Sequence, residues 1–332
     1  MEIWRGPQQV PVGLNSVVTV GNFDGVHLGH QQLLASVVAQ ARARGCKAVA
    51  MTFFPHPHHV HVGPLPLITS LADRLEALEA SGLDAVLVVD YNLEFAAQGP
   101  REFVSTWLRD LLGARAVLVG QDVRFGVGNS GELSTLRQLG QELGFEVLVQ
   151  EEVCGLAGKR WSSTWVRQLL AEGDVAGVAS VLGRPHRVRG VVVDGAQRGR
   201  DLGFPTANLL AAHVGEVPQD GVYAGWLVRP SVLRDGAPER LPAAISVGTN
   251  PTFEDVNRTV EAHVLGRADL NLYGEEVVVE MVERIRPMLT FAAIEPLIDQ
   301  MHDDVARAAA ILGVPRPGPI DPADVTARPL AS

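Results

Sequence analysis

The stretch Gly21-Asn22-Phe23-Asp24-Gly25-Val26-His27-Leu28-Gly29-His30 follows an apolar, strand-like run, Val17-Val18-Thr19-Val20, and precedes an amphipathic run from Gln31 to Ala41. Strand, glycine-rich turn and helix start in that order place backbone N–H groups and the positive end of a helix dipole at one point, a ready site for a phosphate. Gly21, Gly25 and Gly29 let the backbone turn and approach closely. His27 and His30, three residues apart, share one side of the first helical turn. Neutral, each donates one hydrogen bond; protonated, each adds positive charge where negative charge builds up in phosphoryl transfer. A Gly-x-x-x-Gly alone is usually only a turn, and His-x-x-His can also ligate zinc. No cysteine neighbours this pair, and the full context of strand, Asp24, two histidines and helix favours nucleotidyl transfer.

Working outward, the first half of the chain alternates. Strand-length apolar runs fall at 17–20, 48–53, 85–89, 116–119 and 146–149, with helix-period segments at 31–41, 71–80, 102–112 and 133–143 between them. This predicts βαβ units, hence an α/β domain with a doubly wound parallel sheet whose ligands bind at the carboxyl ends of the strands. After Gly183-Arg184-Pro185 the pattern changes to short strand-like runs at 188–193, 221–228, 243–247, 260–265 and 277–282, separated by turn signals. That predicts a small antiparallel β-barrel, closed by a helix over 294–311. The expected division is therefore a domain over 1–183, a second over 184–312, and a Pro- and Ala-rich tail over 313–332 without periodicity, expected to be disordered.

At 332 residues the chain has room for two domains of ~100–200 residues each. A formal charge of −10 speaks against a nucleic-acid surface, and no apolar run reaches the ~18 residues that span a bilayer. No basic, apolar leader opens the chain, and the distant Cys46 and Cys154 suggest neither a disulfide nor a metal site, so the expected compartment is the cytoplasm. Small molecules are the expected partners, without nucleic acid or membrane; a homo-oligomer is left open.

The first motif resembles the HxGH signature of the nucleotidyltransferase superfamily, and with Asn-Phe-Asp-Gly in front it is similar to the FAD synthetase module of bacterial bifunctional riboflavin kinase/FMN adenylyltransferases. Three more segments of the first half fit. Thr52-Phe53-Phe54-Pro55-His56-Pro57 resembles the family's Phe-x-Pro-x-Pro element, with Phe54 where a polar or acidic residue is usual. Gly120-Gln121-Asp122-Val123-Arg124-Phe125-Gly126 resembles its Gly-x-Asp-Phe-x-Phe-Gly loop, with Val123 in place of an aromatic residue. Ser162-Ser163-Thr164-Trp165-Val166-Arg167 resembles Ser-Ser-Thr-x-x-Arg, although hydroxyls at a helix start are also ordinary caps. The resemblance implies that Gly21, Asn22, Phe23, Gly25, Gly29, Arg160, Ser163, Thr164 and Arg167 bind ATP phosphates and that His56, Asp122, Arg124 and Phe125 border the flavin.

In the second half, the segment from Gly195 to Asn208, with Arg198, Gly199, Arg200, Gly203, Pro205 and Thr206, resembles the Gly-x-x-x-Gly-x-x-x-Gly-Phe-Pro-Thr-x-Asn motif of riboflavin kinases. The glycines and arginines suit a phosphate loop, and Thr206 and Asn208, two apart on a strand, share a face and can ligate Mg²⁺. Glu261 and His263 alternate with valines on another strand; the resemblance makes Glu261 the base for the riboflavin hydroxyl. Ser246 to Phe253 also resembles the kinase module, with Asn250 and Phe253 beside the flavin. The implied function is phosphorylation of riboflavin to FMN by the second domain and adenylylation of FMN to FAD by the first, with ATP as the second substrate and pyrophosphate released. Two alternatives are another nucleotidyltransferase, which would lack the Pro-Thr-x-Asn barrel, and a non-enzymatic flavin-binding protein, which would not need His27, His30, Thr206, Asn208 and Glu261.

Overall fold

The computed structural model describes residues 1–151, 155, 158–195, 202–210, 215–251 and 256–325. The chain forms two compact units, Met1–Leu67 with Leu71–Ser163, and Ile68–Ser70 with Thr164–Ser332.

The first unit is built on six parallel strands: β1 (Glu2–Arg5), β2 (Ser16–Val20), β3 (Lys47–Phe54), β4 (Ala85–Asp90), β5 (Ala114–Gly120) and β6 (Glu146–Gln150). Their order is β1-β4-β3-β2-β5-β6. From β2 the chain steps outward to β3 and β4, then crosses back to β5 on the other side of β2. The switch point thus lies between β2 and β5, where α/β sheets bind ligands. Alternation along each strand feeds two cores. Val18, Val49, Met51, Leu87 and Val117 face Phe103, Leu108 and Leu136. Val17, Ala48, Ala50, Val86 and Ala116 face Leu34, Val37 and Leu78.

The helices that matter for the site are α1 (Leu28–Arg44), α2 (Pro57–His61), α3 (Leu71–Glu79), α4 (Leu93–Ala96), α5 (Pro100–Phe103) and α6 (Leu133–Leu143). α1 starts three residues before the expected segment because His27 caps it, and it ends at Gly45, whose φ of 62° supplies the left-handed stop. The expected helix over 102–112 is α5 followed by a π-helical stretch, Val104–Leu111, that buries Val104 and Leu108. β1 is an addition: four residues without alternation carry too little pattern to be read as a strand.

The second unit opens with α7 (Ser163–Glu172, whose first residue closes the first unit) and α8 (Val175–Leu182). A closed barrel follows, of order β10-β11-β8-β7-β12-β9, with β7 (His186–Val193), β8 (Ala207–Leu210), β9 (Gly221–Arg234), β10 (Ala237–Pro251), β11 (Val256–Val264) and β12 (Glu276–Pro287). Every pairing among these strands is antiparallel. Val188, Leu209, Tyr223, Leu227, Ile245, Val260 and Val279 fill it, and Val175 of α8 joins the same core. α9 (Ile294–Leu312) covers the outside through Val305, Ala308 and Ala309. A buried bidentate pair, with Arg286 Nη2 2.6 Å from Asp304 Oδ2 and Nε 2.9 Å from Oδ1, pins α9 to β12. Beyond α9 the chain continues to a short 3₁₀ turn at Pro322–Asp324.

Candidate active sites in the two units

In the first unit the turn after β2 is strained. Phe23 and Val26 lie in the left-handed region, at φ 49° and 40°, beside Gly25 at 84°. A β-branched residue there is a backbone outlier that surrounding packing must enforce, and both side chains are fully buried. The strain orients the first turn of α1. His27 is its N-cap: its Nδ1 accepts the backbone N–H of His30 at 3.3 Å. The neutral ring must then carry its proton on Nε2, leaving an N–H free to donate. The two imidazoles stack with centroids 3.7 Å apart, and the edge of Phe23 meets His30 at 5.2 Å. Gly29 lies close against this pair: a Cβ there would be 3.2 Å from His27 Nδ1, so the ring would have to shift.

Burial and the nearby Arg160 lower the His27 pKa to about 4, against a smaller opposing pull from Asp24. Burial, His27, Arg160 and Arg74 hold His30 well below its ordinary value. Both rings are therefore neutral at neutral pH and act as hydrogen-bond donors. The added positive charge of the protonated forms is not available there.

A cavity of about 440 Å³ brings the distant motifs together. Asn22, His27, Gly29 and His30 form one wall, Gly120, Asp122 and Arg124 a second, and Arg160 to Ser162 a third. Arg160 Nη2 contacts Asp122 Oδ2 at 2.8 Å, and Ser163 Oγ donates to Asp24 O at 2.8 Å, tying the start of α7 to the HxGH turn. Thr164 and Arg167 lie on α7 in the second unit. A neighbouring cavity of about 260 Å³ shares Val20, Gly21, Asn22, Val119, Val123 and Arg124 with the first and is lined by Phe53, Tyr91, Phe95, Phe103 and Phe125. Of these aromatic residues only Phe125 was marked as a site residue from the sequence. Tyr91, Phe95 and Phe103 come from segments with no motif, and only the fold collects them. His56 is buried and caps α2, with Nδ1 accepting the His58 N–H at 3.1 Å.

In the second unit a smaller cavity is lined by Gly195, Pro205, Thr206, Asn208, Arg267 and Tyr273 among others. Asn208 Nδ2 donates to Thr206 Oγ1 at 3.2 Å, so the two polar groups meet, with Thr206 just ahead of β8 rather than on a strand as expected. Gly195 packs so closely on this amide that a Cβ would lie 2.4 Å from Asn208 Cγ, and Gly203 takes φ 82°. Glu261 pairs directly with Asn208 across β11–β8 and with Ser246 across β11–β10, which puts the three side chains on one face. Burial raises the Glu261 pKa above its ordinary value. His263 is buried as well: its Nδ1 contacts Pro205 O at 2.9 Å and its ring packs on Phe204. Arg198, Gly199, Arg200, Phe253 and Cys154 lie outside the described residues, as does the side chain of Asn250.

Comparison with known proteins accounts for both units. Residues 11–165 match the FAD synthetase family model and residues 182–312 match the riboflavin kinase model. The bifunctional riboflavin kinase/FMN adenylyltransferase of Escherichia coli strain K12 is 37% identical over 305 residues, covering 91% of this chain and 94% of that protein. The protein of the same description from Bacillus subtilis strain 168 is 32% identical over 302 residues, 88% and 91% of the two chains. Among solved structures, one from Streptococcus pneumoniae described as a macrolide-efflux protein superposes with a TM-score of 0.79 at 30% identity, over 91% of this chain and 96% of its own. Among the described residues no helix is long and apolar enough to cross a membrane. With an FAD synthetase domain followed by a riboflavin kinase domain, the chain belongs to the bifunctional riboflavin kinase/FMN adenylyltransferase family.

Proposed function

We propose that the two reactions are carried by the residues that the two sites assemble, as follows. In the first unit ATP lies in the 440 Å³ cavity, with its phosphates on the start of α1 and between His27, His30 and Arg160, while FMN enters through the aromatic cavity. The FMN phosphate attacks the α-phosphorus of ATP, the bond to the bridging oxygen breaks, and pyrophosphate leaves. No protein nucleophile is required; alignment and uncharged, preorganised N–H donors supply the catalysis. The observation that carries this reading is the shared wall at Val20–Asn22 and Val123–Arg124, which joins a polar cavity to an apolar one of suitable character.

In the second unit Glu261 takes the proton of the riboflavin hydroxyl as its oxygen attacks the γ-phosphorus of ATP; the bond to the β,γ-bridging oxygen breaks and ADP leaves. Thr206 Oγ1 and Asn208 Oδ1, two neutral oxygen donors, would hold Mg²⁺, which would supply neutralisation of charge on the phosphates. Asn250 and Phe253 border the flavin, and the loop containing Arg198, Gly199 and Arg200 wraps the phosphates.

The functional divide is placed at Gly183/Arg184, because the kinase motifs follow it and the HxGH motifs precede it. Incubating riboflavin, ATP and Mg²⁺ with a shortened chain that begins at Arg184, then separating FMN from FAD by chromatography, tests this: FMN should form and FAD should not. A folded chain that leaves riboflavin unphosphorylated would refute the division. Because Val175 enters the barrel core and Leu170 O accepts the Gln219 N–H at 2.8 Å, a chain beginning at Thr164 should melt at a higher temperature.

A further inference from the structure

We propose that residues 313–325, which follow α9, form a strap that walls the nucleotide end of the barrel cavity and must withdraw before ATP binds. The inference rests on the placement of ATP at Thr206 and Asn208 given above.

α9 stops at Gly313, whose left-handed φ of 66° turns the chain back toward the barrel. Pro317 then packs on Gly266, where an added Cβ would lie 2.9 Å from Pro317 Cβ. The Ile320 carbonyl lies 2.6 Å from the position of a Cβ on Gly203, directly ahead of Phe204-Pro205-Thr206. Both glycines have left-handed backbones, at 68° and 82°, so at each position a side chain would be strained and would also meet the strap. The 3₁₀ turn that follows is capped by Asp321, whose Oδ1 accepts the Ala323 N–H at 2.9 Å. It delivers Val325 into the wall of the cavity that holds Gly195, Thr206, Asn208 and Tyr273.

With Val325 in place that cavity measures about 60 Å³. Sites for small molecules usually enclose ~300–1,000 Å³. A nucleoside triphosphate therefore cannot enter beside Thr206 and Asn208 unless a wall of this cavity moves, and Val325 is the part of that wall carried by the strap. The strap is lightly held: Arg316, Pro319 and the whole Asp321–Asp324 turn are exposed, and Val325 is only half-buried. Few apolar contacts mean a low cost of local release, so strap and ATP compete within reach of ordinary ATP concentrations.

The KM for ATP in riboflavin phosphorylation should report this, since apparent affinity scales with the fraction of molecules in the open state. A chain ending at Leu312, where the riboflavin kinase match also ends, should show a KM lowered roughly three- to thirty-fold. Val325→Asp in the full-length chain should shift it the same way by a smaller factor, which keeps the test alive if the shortened chain folds poorly. The KM for ATP in FMN adenylylation should stay unchanged in both. An unchanged KM in Val325→Asp and the shortened chain, a raised KM, or an equal fall in both reactions overturns the strap. Thr206→Ala separates the two readings: if it raises the KM while the strap variants do nothing, only the strap fails, and if it leaves phosphorylation untouched, the placement of ATP fails.

Discussion

The histidines at the start of α1 and the carboxylate on β11 both lose water on folding, and burial drives each toward its uncharged form. The effect on the chemistry is opposite. His27 and His30 have their pKa values lowered, which keeps them neutral at neutral pH. Glu261 has its pKa raised, which makes the ionised form a stronger base but leaves a larger share protonated in acid. A site that only aligns charged phosphates benefits from groups that do not titrate; one that must remove a proton needs a group that does.

Removing the carboxylate proposed as the base breaks the comparison most sharply. Glu261→Gln should slow riboflavin phosphorylation by roughly 10²–10⁴-fold while FAD formation from supplied FMN stays near wild type. Wild-type phosphorylation by this variant would move the base elsewhere. His30→Ala should do the reverse, lowering FMN adenylylation by about 10²–10³-fold, the usual loss for one preorganised donor, and sparing FMN formation. Normal adenylylation would reduce the histidine to a packing role.

The pH dependence of the two reactions sharpens the contrast. Lowering the pH protonates Glu261 first, because its pKa is raised, so riboflavin phosphorylation should decline on the acid side while adenylylation is still flat. Adenylylation should fall only as the pH approaches 4, where His27 gains its proton and Nδ1 can no longer cap α1. Stability follows the histidine with a definite sign. Between about 4 and 6.5 the unfolded chain binds more protons at this residue than the folded one, so its contribution is complete above 6.5 and is lost as the pH falls through 4. Parallel profiles for the two rates would contradict this assignment.

The smallest expected effect is at Ser163. Replacing it by alanine removes the bond to Asp24 O, worth about 1 kcal/mol, and should lower the melting temperature of the first unit by roughly 2–4 °C. An unchanged melting curve would show that the hydroxyl exchanges this partner for water without cost.

Much of this was legible in the sequence because strands and helices of the first unit keep separate periods. The buried run Val17–Val20 and the helix over 133–143 needed no tertiary information. The pairing of Glu261 with Asn208 was foreshadowed by alternation within each strand, but only the β11–β8 register puts them opposite one another. The aromatic cavity was hidden for a different reason. Tyr91, Phe95 and Phe103 lie near strand and helix ends, where single aromatic residues look like ordinary core, and their convergence depends on the crossover from β4 to β5. The charge state of the histidines was equally hidden, since it depends first on burial and then on charges such as Arg160 from a distant segment. His56 illustrates the limit of motif reading, because the same Pro-His-Pro that invites a ligand also starts a helix.

The bond from Ser163 to Asp24 joins residues 139 positions apart. A ribosome adding 5–20 residues per second needs on the order of 10 s to deliver the second partner after the first. The HxGH turn, with its left-handed Phe23 and Val26, therefore spends that interval without the clasp that later holds it. That bond can form only once α7 begins to emerge, so protection of the turn should increase at that stage of synthesis.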